Sequence, residues 1–450
     1  MKLCIAEKPS VAREIAAIVG ATTKKEGYLE GNGYAVTWAF GHLIGLAMPE
    51  HYGITGFRRE DLPILPARFK LIPRQVREGK EYKPDPGVMK QLNVIGELLK
   101  KCDRVINCCD AGREGELIHR YICSYLNCDK PGDRLWISSL TDKAIREGLA
   151  NLRPSKEYDN LYQAADARAK ADYVVGVNAS RALAAAAGHG VWSLGRVQTP
   201  TLALICSRYL ENRAFTPQTY FQLKLHTAKE ATMFSALSTA KFGDKNMANA
   251  AFDAVTDAGT VEVVKVERKE VNQQPPLPYD LTALQKEANS RHGFSADKTL
   301  TMAQGLYESK LISYPRTGSR YISSDILSEI PALITNLKAY PRFAQYAAAM
   351  NTAELNTRAV DDGRITDHHA IIPTENLPGK LSADECTIYE MVAGRMLEAF
   401  SPVCRKETTV AALRCAEMDF TARGTLILSP GWIDEVSFHI KTEKALTGRP

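Results

Sequence analysis

Apolar positions recur in a repeating order along the first 150 residues. A short apolar run at 3–6 ends at Glu7-Lys8-Pro9-Ser10, and Val11, Ile15 and Ile18 follow at helical spacing. This pattern predicts a strand, a loop and a helix, with Ser10 as N-cap and Glu14 near the positive end of the helix dipole. A second unit begins at Arg104-Val105-Ile106-Asn107-Cys108-Cys109, breaks at Asp110-Ala111-Gly112-Arg113-Glu114-Gly115 and resumes as an amphipathic run over 117–126. A third apolar patch, Leu135-Trp136-Ile137, leads through Ser139, Thr141 and Asp142 into a helical stretch at 144–149. Strand-loop-helix units repeated at this length predict a parallel sheet flanked by helices.

From 158 to about 210 the chain is alanine-rich and reads as helix. Alternation at 220–226 and 261–266 then predicts strands. Gln273-Gln274-Pro275-Pro276-Leu277-Pro278 is a linker, because three prolines fix φ and remove donors. A helical region from 281 to about 400 is followed by strand-like segments at 409–415, 419–428 and Gly431-Trp432-Ile433. Strands, then helices, then strands predict a helical unit inserted into a β domain. No internal repeat and no low-complexity tract interrupts this order.

Composition narrows the class. With 450 residues, 45% hydrophobic and 24% charged, the chain can bury several cores and is neither disordered nor fibrous. No apolar run approaches the ~18 residues needed to span a bilayer, and Glu7 and Lys8 stand where a signal peptide needs an apolar run, so neither a membrane nor export is expected. The ten cysteines lack paired CxxC spacing, which predicts reduced thiols and no zinc site. A formal charge of +5 admits a polyanionic partner only where positive charge is local.

Four constellations carry candidate chemistry. Glu7, Asp110 and Glu114 fall at or just past predicted C-terminal strand ends, where open parallel sheets place ligands. Hard oxygens there suit Mg²⁺, with Lys8 and Arg113 as cations for a phosphodiester. In Tyr314-Pro315-Arg316-Thr317, Pro315 holds Tyr314 extended, and Arg316 and Arg320 stand near enough to neutralise a phosphate. A phenol of pKa about 10 is short of its ionised form by roughly 4 kcal/mol at pH 7, which cations must help supply if it is to attack. In Asp367-His368-His369 one histidine is a candidate phosphate donor and the other structural, since adjacent side chains point apart. Arg196 and Gln198, in Gly195-Arg196-Val197-Gln198-Thr199-Pro200, sit on a loop-to-helix junction.

Together these segments resemble the type IA DNA topoisomerases, most closely the bacterial topoisomerase III branch. Glu7-Lys8-Pro9-Ser10, 110–116, 195–200, 306–317 and 368–374 occur in that family's order, and the likeness covers nearly the whole chain. It implies a multidomain α/β plus α and β architecture shaped like a padlock. The expected parts are a Toprim domain (1–153), a helical DNA-groove domain (154–215), a β arch (216–277 and 405–450) and an inserted catalytic-tyrosine domain (278–404).

The same resemblance implies an isomerase that cuts one DNA strand through a 5′-phosphotyrosine at Tyr314, passes a strand and reseals without ATP. Arg316 would clamp the phosphate, Lys8 would stabilise the transition state and His368 would hydrogen-bond the scissile phosphate. Glu7, Asp110 and Glu114 would serve Mg²⁺. Arg168, Asp172, Arg196, Gln198, Arg113 and Arg320 would line the path of single-stranded DNA. A cytoplasmic, nucleoid-associated monomer with no nucleotide cofactor and a helicase as partner fits the branch. Two departures stand out: Gly112 occupies the position of the family's second loop aspartate, and Gly318 that of an aspartate after Arg-Thr. The chain also ends where the family continues, which predicts a C-terminally incomplete product. The alternative reading is a single-strand-binding remnant that cleaves without passing strands.

Overall fold

The computed structural model describes residues 1–433 apart from 80, 139, 191, 230, 231, 366 and 367. Ser139, Asp367 and residues 434–450 of the expected β arch therefore lie outside the described residues.

Strand β1 (Lys2–Ala6) is fully buried from Leu3 to Ala6, as a central strand covered on both faces must be. It pairs in parallel with β2 (Tyr34–Trp38) and β3 (Arg104–Cys108), and β3 pairs in parallel with β4 (Gly132–Arg134). The sheet order is Arg153–Pro154, β4, β3, β1, β2, Tyr28–Gly31, Thr23–Lys25. Its centre is parallel as the pattern predicts, while the edge strands are antiparallel. Helix α1 (Pro9–Val19) packs on the face carrying Cys4 and Ala6, and α2 (Arg113–Tyr125) on the face carrying Leu3 and Ile5, following the two-residue alternation of β1.

Two local expectations are corrected. Lys8, not Ser10, occupies the N-cap of α1, because Pro9 supplies the fixed φ and missing N–H that suit the first helical position. The Leu135-Trp136-Ile137 patch is not itself a strand: β4 ends at Arg134, Leu135 is buried beyond it, and Trp136 stacks on Tyr158 with ring centroids 5.2 Å apart.

Helix Asp159–Ala187 lies against α2, and helix Gln198–Ala214 follows with no buried residue. An antiparallel sheet of order Lys224–Lys229, Thr232–Ser238, Met418–Ser429, Cys404–Cys415, Glu262–Gln273 comes next. The helices between 281 and 400 lie in sequence between Glu262–Gln273 and Cys404–Cys415, which pair along almost their whole length. The chain thus leaves this sheet and re-enters it beside its point of departure. Gly431–Ile433 is a 3-10 turn rather than a strand, with the Trp432 indole donating to the Gln273 carbonyl at 3.1 Å.

Candidate active site

The register of the parallel sheet assembles the first part of the site. Ala6 lies opposite Cys108, so Glu7 and the loop after β3 leave the sheet side by side at one end. The Asp110 amide points at Glu7 Oε2 across 3.4 Å. The loop itself is shaped by Arg134, whose fully buried guanidinium donates to the carbonyls of Asn107, Cys109, Leu135 and Asp110 at 3.2, 2.6, 2.9 and 2.7 Å. Buried Glu116 balances that charge at 3.3 Å and also accepts from Asn107 and Arg120, both at 2.8 Å. Gly115 lets α2 approach this close, since a Cβ there would stand 2.1 Å from the Asp110 carbonyl oxygen.

The second part is Tyr314. Its amide donates to Ser138 O at 3.2 Å, and the preceding Ser313 amide donates to Ile372 O at 2.9 Å, so the loop is pinned both to the first sheet's edge and to the 370–373 segment. The half-buried ring lies 4.5 Å from the His368 ring and meets Tyr307 edge-on at 5.2 Å. Its hydroxyl faces the Asp110 carboxylate closely enough for each group to shift the other's pKa. Lys8 stands beside the two carboxylates and reaches Glu308 at 3.3 Å. Arg316 is exposed and close enough to act on both Tyr314 and Asp110.

Burial dominates the electrostatics. It pushes Glu7 up to about 7, reinforced by Asp110 and opposed by Lys8. Asp110 is also raised by burial, against the pull of Lys8 and of the Tyr314 hydroxyl. The Tyr314 phenol is raised well above its ordinary value by burial and then by the Asp110 and Glu7 charges, with Arg316 opposing. Burial holds the His368 imidazole neutral, lowering it to about 4 against the opposing pull of the Ala111 backbone, and its buried Nδ1 has no partner among the described residues. His369 is buried with Nδ1 2.7 Å from its neighbour's carbonyl at Ala370, the structural half of the pair.

Glu114 does not join Glu7 and Asp110. It sits in the exposed first turn of α2, bonded to His42 at 3.2 Å and Arg168 at 2.9 Å, and the His42 bond lowers its pKa. Among the described residues no three His, Cys, Asp or Glu side chains converge enough to hold a metal alone. Of the three expected carboxylates, Glu7 and Asp110 stand together and Glu114 stands apart. Two half-buried, mutually repelling carboxylates still fit a divalent cation of the Mg²⁺ type, which commonly uses one or two protein carboxylates with water and substrate phosphate.

The remaining expected residues divide in two. Arg168 and Asp172, on helix Asp159–Ala187, join His42, Glu114 and Tyr121 in lining an open cleft of about 270 Å³. Arg196 extends this row by pairing with Asp172 at 3.2 Å, and Gln198 bonds the Ser193 hydroxyl at 2.7 Å. Arg113 is exposed at the start of α2. Arg320 differs: its Nε and Nη2 donate to the Pro278 and Leu277 carbonyls at 3.0 Å each, so it ties down the proline linker. Sequence reasoning missed Arg134, Glu116 and His42. An arginine directly preceding the apolar run 135–137 was the available signal for the first.

A family model described as "DNA topoisomerase" matches residues 156–447, and one described as "Toprim domain" matches residues 2–140. The DNA topoisomerase 3 of Bacillus cereus is 41% identical over 438 residues, covering 95% of this chain and 58% of the relative. That of Bacillus subtilis is 40% identical over 446 residues, with the same coverage of both. The chain thus spans about 58% of the length of the curated relatives it matches. In fold it is similar to full-length topoisomerase I from Thermotoga maritima, with a TM-score of 0.72 and 24% identity over 100% of this chain and 69% of that one. A Toprim sheet whose strand-end carboxylates meet a half-buried tyrosine, and a family match over most of the remaining chain, place this protein in the type IA DNA topoisomerase family.

Proposed function

We propose that this chain carries the strand-cleaving centre of a topoisomerase III-like enzyme, with Tyr314 as nucleophile and single-stranded DNA as substrate. The observation that carries this reading is the approach of the Tyr314 hydroxyl to the Asp110 carboxylate at the end of β3, close enough for each group to shift the other's pKa. A phenol raised by burial is no standing phenolate, so its proton must leave as the bond to phosphorus forms. Asp110 is in place to take it, and its own raised pKa makes it a competent base. Tyr314 Oη bonds to phosphorus, the phosphorus–3′-oxygen bond breaks, and the 5′-phosphate stays on the enzyme. Glu7, held near pH 7, can give the leaving 3′-oxygen its proton. Resealing reverses these transfers, and the stored phosphodiester makes ATP unnecessary.

Lys8 and Arg316 supply the positive charge that the phosphate meets. His368 keeps Nδ1 unpartnered, and an arriving anionic phosphate favours protonation of the ring, so that Nδ1 donates when substrate is bound. Glu7 and Asp110 would hold a divalent cation, magnesium by family habit, which when bound neutralises charge between the carboxylates and the phosphodiester. Arg168, Arg196, Gln198 and Arg113 line the way for the strand. Among the described residues no helix is long and apolar enough to cross a membrane. A cytoplasmic, nucleoid-associated monomer working beside a helicase accords with this reading.

The test is covalent trapping. Labelled single-stranded DNA is incubated with the chain and denatured; wild type is expected to retain label and Tyr314→Phe to retain none while still binding DNA. Label persisting on the Phe variant would remove Tyr314 from the chemistry.

A further inference from the structure

Helix α2 ends in a Schellman turn. The Cys128 amide donates to Cys123 O at 2.8 Å, the Asn127 amide donates to Ser124 O at 3.2 Å, and Asn127 adopts the left-handed conformation at φ 52°. This turn brings the side chains of its first and last residues into contact, a place usually taken by two apolar groups. Here both are cysteines, and their thiols lie close enough for each to shift the other's pKa. Neither is sealed in the core, since both are half-buried. Cys123 Sγ also lies 3.5 Å from Nε2 of His119, one helical turn back on α2. This arrangement differs from that of Cys4 and Cys108, which touch inside the sheet but are fully enclosed, and from Cys206, which is exposed but stands alone.

We propose that Cys123 and Cys128 form a reversible redox site, closing to an intrachain disulfide when a hydroperoxide reaches the end of α2. Cys128 is the attacking thiol. Its pKa is drawn down to about 6, chiefly by the neighbouring Cys123 thiol and further by the Lys130 backbone, which favours its thiolate over that of Cys123. The thiolate attacks the peroxide, the oxygen–oxygen bond breaks, hydroxide or alkoxide leaves and takes up a proton, and Cys128 becomes a sulfenic acid. Cys123 then loses its proton and attacks that sulfur. The sulfur–sulfur bond forms, the sulfur–oxygen bond breaks, and water leaves. Overall two thiols and one hydroperoxide give one disulfide, one water and one water or alcohol, and a dithiol reductant reverses the change.

The closed ring would staple the end of α2 to the connection that enters β4, the strand bearing Arg134. Cys102 is the nearest competitor for Cys128, but its thiol is engaged with the Leu99 carbonyl at 3.5 Å.

The experiment uses the whole folded chain. It is exposed to stoichiometric hydrogen peroxide at pH 7, alkylated under denaturing conditions, cut with trypsin without reduction and weighed. Both cysteines fall in the tryptic peptide 121–134, because Pro131 blocks cleavage after Lys130. The expected result is a peptide about 2 Da lighter than its reduced form and unalkylated, formed about tenfold faster than any oxidation of Cys206, and restored by dithiothreitol. Cys128→Ser is expected to abolish it, and Cys123→Ser to leave a sulfenic acid on Cys128 that dimedone traps. Alkylation of both cysteines in that peptide while Cys206 is oxidised would overturn the proposal, as would a disulfide between Cys128 and Cys102 or a cross-link formed only after unfolding.

Discussion

Asp110 and Glu114 are four residues apart, and both belong to the acidic break after β3, yet they meet opposite surroundings. Asp110 stays at the strand end, where burial raises its pKa and its neighbours are a second carboxylate and a phenol. Glu114 has already entered the first turn of α2, where it is half exposed and lowered by His42, with Arg168 adding its charge. An anion at the first position is costly, so it retains a need for a proton or a cation. An anion at the second is already satisfied. On the proposed function, chemistry belongs to Glu7 and Asp110, while Glu114 lines the neighbouring cleft.

Breaking the first side of this comparison has the largest expected effect. Asp110→Asn keeps the shape but removes the base beside Tyr314, and the rate of adduct formation on labelled single strands should fall about 10²- to 10⁴-fold. A loss under about fivefold would mean that another group takes the proton.

An intermediate effect is expected from adding charge to the same side. A Cβ at Gly112 meets nothing within 4 Å, and φ of 170° is extended backbone open to any residue. Gly112→Asp should therefore fold normally and tighten magnesium binding about tenfold, as a third carboxylate joins the pair. Unchanged affinity by calorimetry would show that position 112 does not face the cation.

Breaking the second side has the smallest effect. Glu114→Gln releases His42 and Arg168 into the cleft, and single-stranded DNA should bind two- to fivefold tighter, on the order of 1 kcal/mol or less for one exposed pair. Fluorescence anisotropy at fixed salt checks this, and weaker binding would contradict the placement of Glu114 as a cleft wall.

Much of this was legible in the sequence, and the exceptions share a cause. The parallel strands, the inserted helices and the neighbourhood of Glu7, Asp110, Tyr314 and His368 follow from apolar periodicity and motif order. What failed was the direction of individual side chains. Glu114 shares the acidic loop with Asp110, and only the start of α2 at Arg113 turns it toward His42. Arg320 follows Arg316 by four residues, and only the packing of the linker against it shows that two of its nitrogens donate to Leu277 and Pro278. Arg134 was hidden for a related reason: its buried charge is balanced by Glu116, eighteen residues earlier, and by carbonyls that no composition reveals.

The central claim is that Glu7 and Asp110, and not Glu114, form the cation site next to Tyr314. Calorimetric titration of magnesium into wild type, Glu7→Gln, Asp110→Asn and Glu114→Gln at pH 6 and pH 8 tests it directly. Glu7 has a pKa raised to about 7, so a proton competes with the cation below that value and leaves above it. The account predicts wild-type affinity up to about tenfold higher at pH 8 than at pH 6, lost binding in the first two variants, and Glu114→Gln within about threefold of wild type. Magnesium binding that survives in Glu7→Gln and Asp110→Asn but disappears in Glu114→Gln would contradict it.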